Sequence, residues 1–230
     1  MSPEWHRLLS KHKGKTLVEF CRRPKVQEQI AGFVVGFSDS LILLHRLDWN
    51  TFTLDGYTIL RNKDVKRQRA FNRSSYWPNK AIKKFKLRPK ALPDFPLSNM
   101  TEAISGISRL FPIIHVECEI AYPDECQIGV PLEITKKFLV LDTLSFYSEW
   151  TGPWSIKLDQ ITRIDFGGGY ERALAVTAPK RKLKILRQYG PSLLERPRKS
   201  WLDAPPRYAR SGTTTRRATE SELIPRLRSE

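Results

Sequence analysis

The densest group of potential ligand-binding side chains lies between residues 61 and 90. This segment has twelve Lys or Arg residues and one acidic residue, Asp64, and Tyr76, Trp77 and Phe85 lie among the cations. Cationic side chains neutralise phosphates and aromatic rings stack on bases, so this mixture indicates RNA or DNA binding. The candidate nucleic-acid contacts are Arg61, Lys66, Arg67, Arg69, Arg73, Tyr76, Trp77, Lys80, Lys83, Lys84 and Lys86.

The same segment also has a purely structural interpretation. Pro78 is well placed to begin a short helix in which Ala81, Ile82 and Phe85 face the body of the protein and the lysines face water. The aromatic residues would then anchor a linker. The cations would offset residues 91–178, which hold six basic and twelve acidic residues. Both interpretations stay open at this stage.

Residues suited to metal binding or catalysis are few. His115, Glu117, Cys118 and Cys126 lie within twelve residues of one another. On a strand over residues 113–120, however, His115 and Glu117 share one face and Cys118 points to the other. The sequence therefore predicts no metal site, no cofactor and no catalytic residue. We expect a protein that is not an enzyme and has no small-molecule substrate.

Composition restricts the class of protein further. The formal net charge of the 230 residues is +16, and residues 179–230 contribute fourteen basic and five acidic residues to it. Pro, Ser, Thr and Arg dominate that end without an apolar period, which predicts a disordered tail. The longest apolar stretch, residues 30–37, is far shorter than the roughly 20 residues of a membrane helix. Three cysteines suit a reducing compartment, so we expect a cytoplasmic protein without a membrane partner.

The elements that position these residues form a repeat. An offset of 97 residues aligns Gly32 with Gly129 and Leu44 with Leu141. Each unit begins with a helix: one from Pro3 that Ser2 can cap and that stops at Gly14, and one from Met100 to Phe111 that Asn99 caps. Five short strands follow each helix. They are predicted at 16–22, 28–37, 40–47, 57–61 and 64–69, and at 113–120, 126–134, 138–144, 154–158 and 161–166.

One helix followed by five short strands resembles the Sm-like, SH3-type small β-barrel. Gly32, Phe37, Asp39 and the apolar run 41–44 are similar to the first motif of that family, and the turn 60–62 is similar to the second. Ile42 stands where RNA-binding members have Asn, and Asn62 stands where they have Gly. The resemblance therefore implies the barrel framework but not the uridine pocket of the family.

Residues 154–174 resemble the end of a group of uncharacterised bacterial proteins built as tandem barrels. This likeness covers about residues 5–178 and implies a fold and a cytoplasmic bacterial setting, but no activity. We expect a mainly β protein in which two tandem helix-plus-five-strand Sm-like (SH3-type) barrels pack together, with a disordered C-terminal tail. The predicted divisions are a first barrel over 1–70, a basic aromatic linker over 71–97, a second barrel over 98–178 and a basic tail over 179–230.

Further aromatic residues follow the third predicted strand of each unit. Trp49 and Phe52 in the first unit correspond approximately to Phe146, Tyr147 and Trp150 in the second. Such residues either cover the end of a barrel or contact a peptide. A protein-interaction adaptor that uses these residues or the strand edges is the alternative to nucleic-acid binding.

Overall fold

The fold is mainly β. The computed structural model describes residues 2–22, 26–123 and 125–181, and the predicted tail from residue 182 onward lies outside these ranges. We call residues 2–97 the first half and residues 98–181 the second half. The first half contains α1 (Pro3–His12), β1 (Leu17–Cys21), β2 (Gln29–Phe37), β3 (Leu41–Asp48), β4 (Thr53–Arg61), β5 (Arg67–Ala70) and α2 (Trp77–Lys84). The second half contains α3 (Met100–Leu110), β6 (Ile114–Glu117), β7 (Cys126–Ile134), β8 (Phe138–Leu144), β9 (Trp150–Lys157), β10 (Arg163–Phe166) and α4 (Gly169–Thr177).

All ten strands belong to one antiparallel sheet in the order β5-β1-β2-β3-β4-β10-β6-β7-β8-β9. Within each half the last strand lies beside the first, and the second, third and fourth strands follow. The halves meet where β4 pairs with β10, with Leu60 opposite Arg163. The strand pairing therefore runs through both halves as one open sheet, because these two strands satisfy each other's backbone edges.

The repeat in the sequence is visible in the details of the strands. Gly32 and Gly129 occupy equivalent positions opposite the third strand of their halves. A Cβ atom at either residue would collide with a carbonyl oxygen, that of His45 or that of Asp142. The register shifts just after each glycine, between Val34 and Gly36 in β2 and at the corresponding place in β7. Glycine is therefore required at these two positions by a close approach of two backbones.

The helix caps agree with the sequence analysis. Ser2 Oγ accepts a hydrogen bond from Trp5 N at 3.2 Å at the start of α1. Asn99 Oδ1 accepts one from Glu102 N at 3.0 Å at the start of α3. Each cap satisfies a backbone donor that has no partner within its helix.

The fourth strand of each half begins four residues before the predicted start, at Thr53 and Trp150. Both strands follow a tight turn with a residue at positive φ, Phe52 (φ 50) or Ser148 (φ 59). Each of these early segments contains a glycine, which weakens the strand signal in the sequence.

The largest hydrophobic core contains side chains from both halves. Val35, Leu43 and Ile59 of the first half belong to the same buried cluster as Leu139 and Ile164 of the second. This shared core supports the prediction that the two units pack together. Among the described residues, no helix combines the length and the apolar character needed to cross a membrane.

Candidate functional site

Helix α2 and its flanking residues cover one end of the first half. Ile82 and Leu87 pack against a buried cluster that includes Phe33, Leu54 and Phe71. Asn79 Nδ2 donates hydrogen bonds to the carbonyl oxygen of Phe71 at 2.6 Å and to that of Arg73 at 2.7 Å. The predicted helix is therefore present and is attached to the strands by both apolar and polar contacts.

Aromatic rings from two separate segments meet beside α2. The Trp77 ring centroid lies 5.8 Å from that of Trp49 and 5.4 Å from that of Phe52. Phe52 in turn lies 5.9 Å from Phe85. Trp77 and Phe85 are each 63% exposed, while Trp49 and Phe52 are half-buried beneath them. One surface thus combines Trp77, which is predicted to contact nucleic acid, with Trp49 and Phe52, which are predicted to contact a protein.

Exposed cations surround these rings. The guanidinium of Arg69 lies 4.8 Å from the centre of the Phe71 ring, and that of Arg73 lies 5.9 Å from the centre of the Tyr76 ring. We call the following residues the aromatic-basic surface: Trp49, Phe52, Arg69, Arg73, Tyr76, Trp77, Lys80, Lys83, Lys84, Phe85 and Lys86. Every cation in this set is exposed, and none of them forms an ion pair with a described carboxylate. Residues 65–93 contain no acidic residue, so no carboxylate of the same segment offsets this charge.

Two candidate residues differ from the expectation. Phe85 does not face the body of the protein, because α2 ends at Lys84 and Lys86 has a positive φ of 53° that turns the chain. Arg61 lies at the junction of the halves, where its side chain donates to the carbonyl oxygens of Ile161 and Leu158. Arg61 therefore lies apart from the aromatic-basic surface. Arg67 is exposed on edge strand β5, and Lys66 is exposed directly before it.

The corresponding loop of the second half has a different environment. Trp150 packs with Leu144 and Leu174 under α4, and its Nε1 donates to the carbonyl oxygen of Pro179 at 2.6 Å. Phe146 is 83% exposed and Tyr147 is 80% exposed. One of the three aromatic residues thus covers the end of the sheet, and the other two face solvent without a neighbouring basic helix.

A second polar region lies where the halves meet, and it centres on Arg163. This buried guanidinium contacts carboxylates from both halves, which are Glu28, Glu117, Glu119 and Asp165. Arg22, which is also fully buried, pairs with Glu119, and its Nη2 donates to Glu119 Oε1 at 2.8 Å. A cavity of about 170 Å³ adjoins this network and is lined in part by Arg46, His115, Tyr170 and Glu171.

The charges in this region shift the pKa values of their neighbours. Burial raises the pKa of Asp165, but the opposite effect of Arg163 and Arg46 is larger and brings this pKa down to about 2. Thr58 Oγ1 also donates to the ionised Asp165 Oδ1 at 2.6 Å. The pKa of Glu119 is likewise lowered, because its contacts with Arg22 and Arg163 outweigh the effect of burial. Both carboxylates are therefore held in the charged form.

His115, Glu117 and Cys126 lie together at the edge of this network. Burial lowers the pKa of His115, but contacts with Cys126, Glu117 and Glu171 raise it well above its usual range. Cys118 follows the last residue of β6, is buried in the core and does not belong to the group. The sequence names these residues as potential ligands but predicts no site, because their convergence depends on the register between β6 and β7, which places Cys126 opposite Glu117.

A scan against protein-family models and searches of curated proteins and solved structures found no significant match to this chain. Similarity to a known protein therefore adds nothing to the assignment of function, which has to rest on the surfaces described above.

Proposed function

We propose that this chain is a non-catalytic protein that binds single-stranded RNA or DNA through the aromatic-basic surface. The observation that carries the proposal is the exposure of Trp77 and Phe85 on a continuous group of rings bordered by unpaired cations. Single exposed apolar side chains are common on protein surfaces, whereas a contiguous exposed group of them is typical of a binding surface. Here the two rings are held outward by a helix that is itself anchored on the sheet.

The proposal favours single strands for a physical reason. A base can stack on a protein ring only when one of its faces is free, which a duplex does not allow without unstacking. The lysines of α2 lie on the same helix as Trp77 and could contact the phosphates on either side of a stacked base. Stacking does not discriminate strongly among bases, so we expect little sequence preference.

We also propose that each half is an Sm-like, SH3-type barrel. Support comes from the leading helix and from the strand order, in which the fifth strand lies beside the first in both halves. The substitution of the family's pocket residues by Ile42 and Asn62 directs the proposed binding to α2 and away from a uridine pocket. Three free cysteines favour a reducing compartment, and we propose the cytoplasm.

A salt titration tests the nucleic-acid proposal. We expect fluorescence anisotropy with a labelled single-stranded oligonucleotide to give a log–log slope of affinity against salt near about −4, if roughly six phosphates are contacted. The variant Lys80→Gln/Lys83→Gln/Lys84→Gln/Lys86→Gln should lower both the affinity and the magnitude of the slope. All four lysines are exposed, so the substitutions should leave the fold intact.

The matched control places the same change of charge in the predicted tail, as Arg207→Gln/Arg210→Gln/Arg216→Gln/Arg217→Gln. This variant should bind like the unmodified chain. If it loses the affinity while the lysine variant keeps it, the tail is the binding segment and the assignment to α2 is wrong. If no single strand binds even at low salt, the nucleic-acid proposal itself fails.

The alternative proposal, a protein-interaction adaptor, is favoured by one observation in the second half. Phe146 and Tyr147 expose most of their ring surface and pack against each other at a ring-centroid distance of 5.9 Å. Affinity capture with the full chain and with Phe146→Ser/Tyr147→Ser would test it. A specific partner that is lost from this variant, but retained by Trp77→Ser/Phe85→Ser, would favour the adaptor.

A further inference from the structure

Three potential metal ligands converge on one face of neighbouring strands. Glu117 and Cys126 are direct cross-strand partners of β6 and β7. His115 precedes Glu117 by two residues, so its side chain leaves the same face of β6. One ligand atom from each of the three side chains lies within 4.8 Å of the other two. The antiparallel register thus brings Cys126 to His115 and Glu117, although at least eight residues separate it from them in the sequence.

The imidazole of His115 is oriented toward this group. Its Nε2 is shielded from solvent and makes no hydrogen bond, although Glu117 Oε1 lies only 2.9 Å away. Its Nδ1 faces the other way, 3.7 Å from Oε1 of Glu171. The nearer carboxylate lies beside Nε2, so in the metal-free chain this nitrogen keeps a proton that faces Glu117. A metal ion would bind Nε2 in place of that proton, while Glu171 fixes the orientation of the ring through Nδ1. Glu171 is itself held by a hydrogen bond from Gly168 N at 2.9 Å.

We propose that His115 Nε2, a Glu117 oxygen and Cys126 Sγ bind one divalent transition-metal ion of the zinc class. Imidazole, carboxylate and thiolate together are a donor set that suits zinc and not magnesium or calcium, which prefer oxygen ligands alone. The metal would replace the proton of the Cys126 thiol and the proton on His115 Nε2, and both protons pass to solvent. Three protein ligands leave a fourth coordination position for water or an added donor.

The distances and charges permit this binding. Bonds of about 2.0–2.3 Å place the ligands of a tetrahedral zinc ion roughly 3.3–3.8 Å apart, so the side chains must close by about 1 Å. Cys126 is exposed at the first residue of β7, where its side chain can rotate. Glu117 can keep its 2.9 Å contact with Arg163 through one oxygen and use the other for the metal.

The surrounding charge also favours a cation. The cavity and the adjoining network contain three guanidinium groups, from Arg22, Arg46 and Arg163. They face a larger number of carboxylates, which are Glu28, Asp55, Glu117, Glu119, Asp165 and Glu171. A bound divalent ion would reduce this excess of negative charge in a partly buried region.

Cobalt provides the direct test, since Co²⁺ takes zinc sites and reports its ligands spectroscopically. The chelator-treated full-length chain should bind one Co²⁺ with a thiolate-to-cobalt charge-transfer band, and Zn²⁺ should displace it. Cys126→Ser should abolish the band. His115→Gln should weaken Zn²⁺ binding more than the roughly 10–100-fold loss typical of a residue that only supports a ligand. Circular dichroism of the metal-free variants checks that both remain folded.

Matched controls are available for both ligand types. Cys21→Ser and His6→Gln should keep the band and the affinity, because neither residue belongs to the group. The predicted tail contains neither His nor Cys, so it offers no competing site of this type. Persistence of the band in Cys126→Ser, or Zn²⁺ binding by the unmodified chain no tighter than that of His115→Gln, would overturn the proposal.

Glu171 is a positioning residue in this site. Glu171→Gln keeps an oxygen that can accept from Gly168 N but removes the charge beside Nδ1. We expect Zn²⁺ affinity to fall by about 10–100-fold while the cobalt band is retained. If Glu171 had only a structural role, Glu171→Gln would instead lower the unfolding free energy of the metal-free chain and leave the Zn²⁺ affinity unchanged. That result would remove Glu171 from the site without affecting the three ligands.

Discussion

Strands β5 and β10 occupy the same position in the repeat but have opposite surroundings. When one residue of the first unit is dropped before this strand, the alignment of the two units pairs Arg67 with Arg163. β5 contacts one strand, β1, and Arg67 and Arg69 are exposed at the edge of the sheet. β10 lies between β4 and β6, and all four of its residues are buried. The neighbouring strand, and not the local sequence, therefore decides whether an arginine is exposed to water or forms ion pairs with carboxylates.

This difference separates two kinds of positive charge in the molecule. At the free end of the first half, the cations remain exposed beside Trp77 and are available to a phosphate backbone. At the junction, Arg163 is surrounded by carboxylates of both halves, so it joins the halves and is not available to a ligand. Cations on an edge strand also discourage pairing with another chain. The same residue type therefore belongs to the proposed binding surface in one region and joins the halves in the other.

The largest expected effect tests the cohesive arginine. Arg163→Leu should lower the free energy of unfolding by about 3–5 kcal/mol, because several buried carboxylates lose their counter-charge. Urea denaturation of the variant gives this value. The control Arg7→Leu alters an exposed arginine of α1 and should change stability by at most about 0.5 kcal/mol. Equal losses in the two variants would contradict the distinction between the two regions.

Acid should weaken the junction in a predictable direction. The pKa of Asp165 is lowered to about 2 in the folded chain, whereas an unfolded Asp titrates near about 3.9. Its contribution is therefore complete above about pH 5 and is lost as pH falls through about 2, a change of about 2–3 kcal/mol. Asp165→Asn should differ from the unmodified chain in urea denaturation most at pH 7 and progressively less toward pH 2. A gap between the two proteins that does not depend on pH would contradict this cause.

The two equivalent glycines test the similarity of the halves. Gly32→Ala and Gly129→Ala should each cost about 1–3 kcal/mol of stability, because the added Cβ meets a backbone carbonyl that cannot move freely. Thermal or urea unfolding of the two variants compares them directly. A loss confined to one variant would show that the close approach matters in only one half.

The smallest expected effect compares the exposed rings. Trp77→Ala should reduce single-strand affinity by about 10-fold, within the range measured for the loss of one stacked base. Phe146→Ala removes a ring that is more exposed, at 83% against 63%, but lies away from the basic helix. Its affinity should match that of the unmodified chain in the same anisotropy assay. A similar loss in both variants would mean that binding depends on exposed rings in general.

Most of the local structure could be predicted from residue types and spacing. The caps Ser2 and Asn99, the strand alternation and the repeated glycines are determined by interactions within a few residues or by the repeat itself. The helix at Pro78 was also predictable, because proline fixes the backbone at the first turn. The outward orientation of Phe85 was not, since it depends on the end of α2 and the turn at Lys86.

The sequence by itself determined the order of the helices and strands, the duplication and the position of the basic aromatic segment. Only the tertiary structure decided that β10 is central while β5 is an edge, that Trp49 and Phe52 join Trp77, and that Cys126 faces Glu117. These outcomes depend on pairing between strands distant in the chain, which is selected by the burial of whole faces and the satisfaction of backbone edges. No local pattern of residues encodes which distant strand will provide that edge.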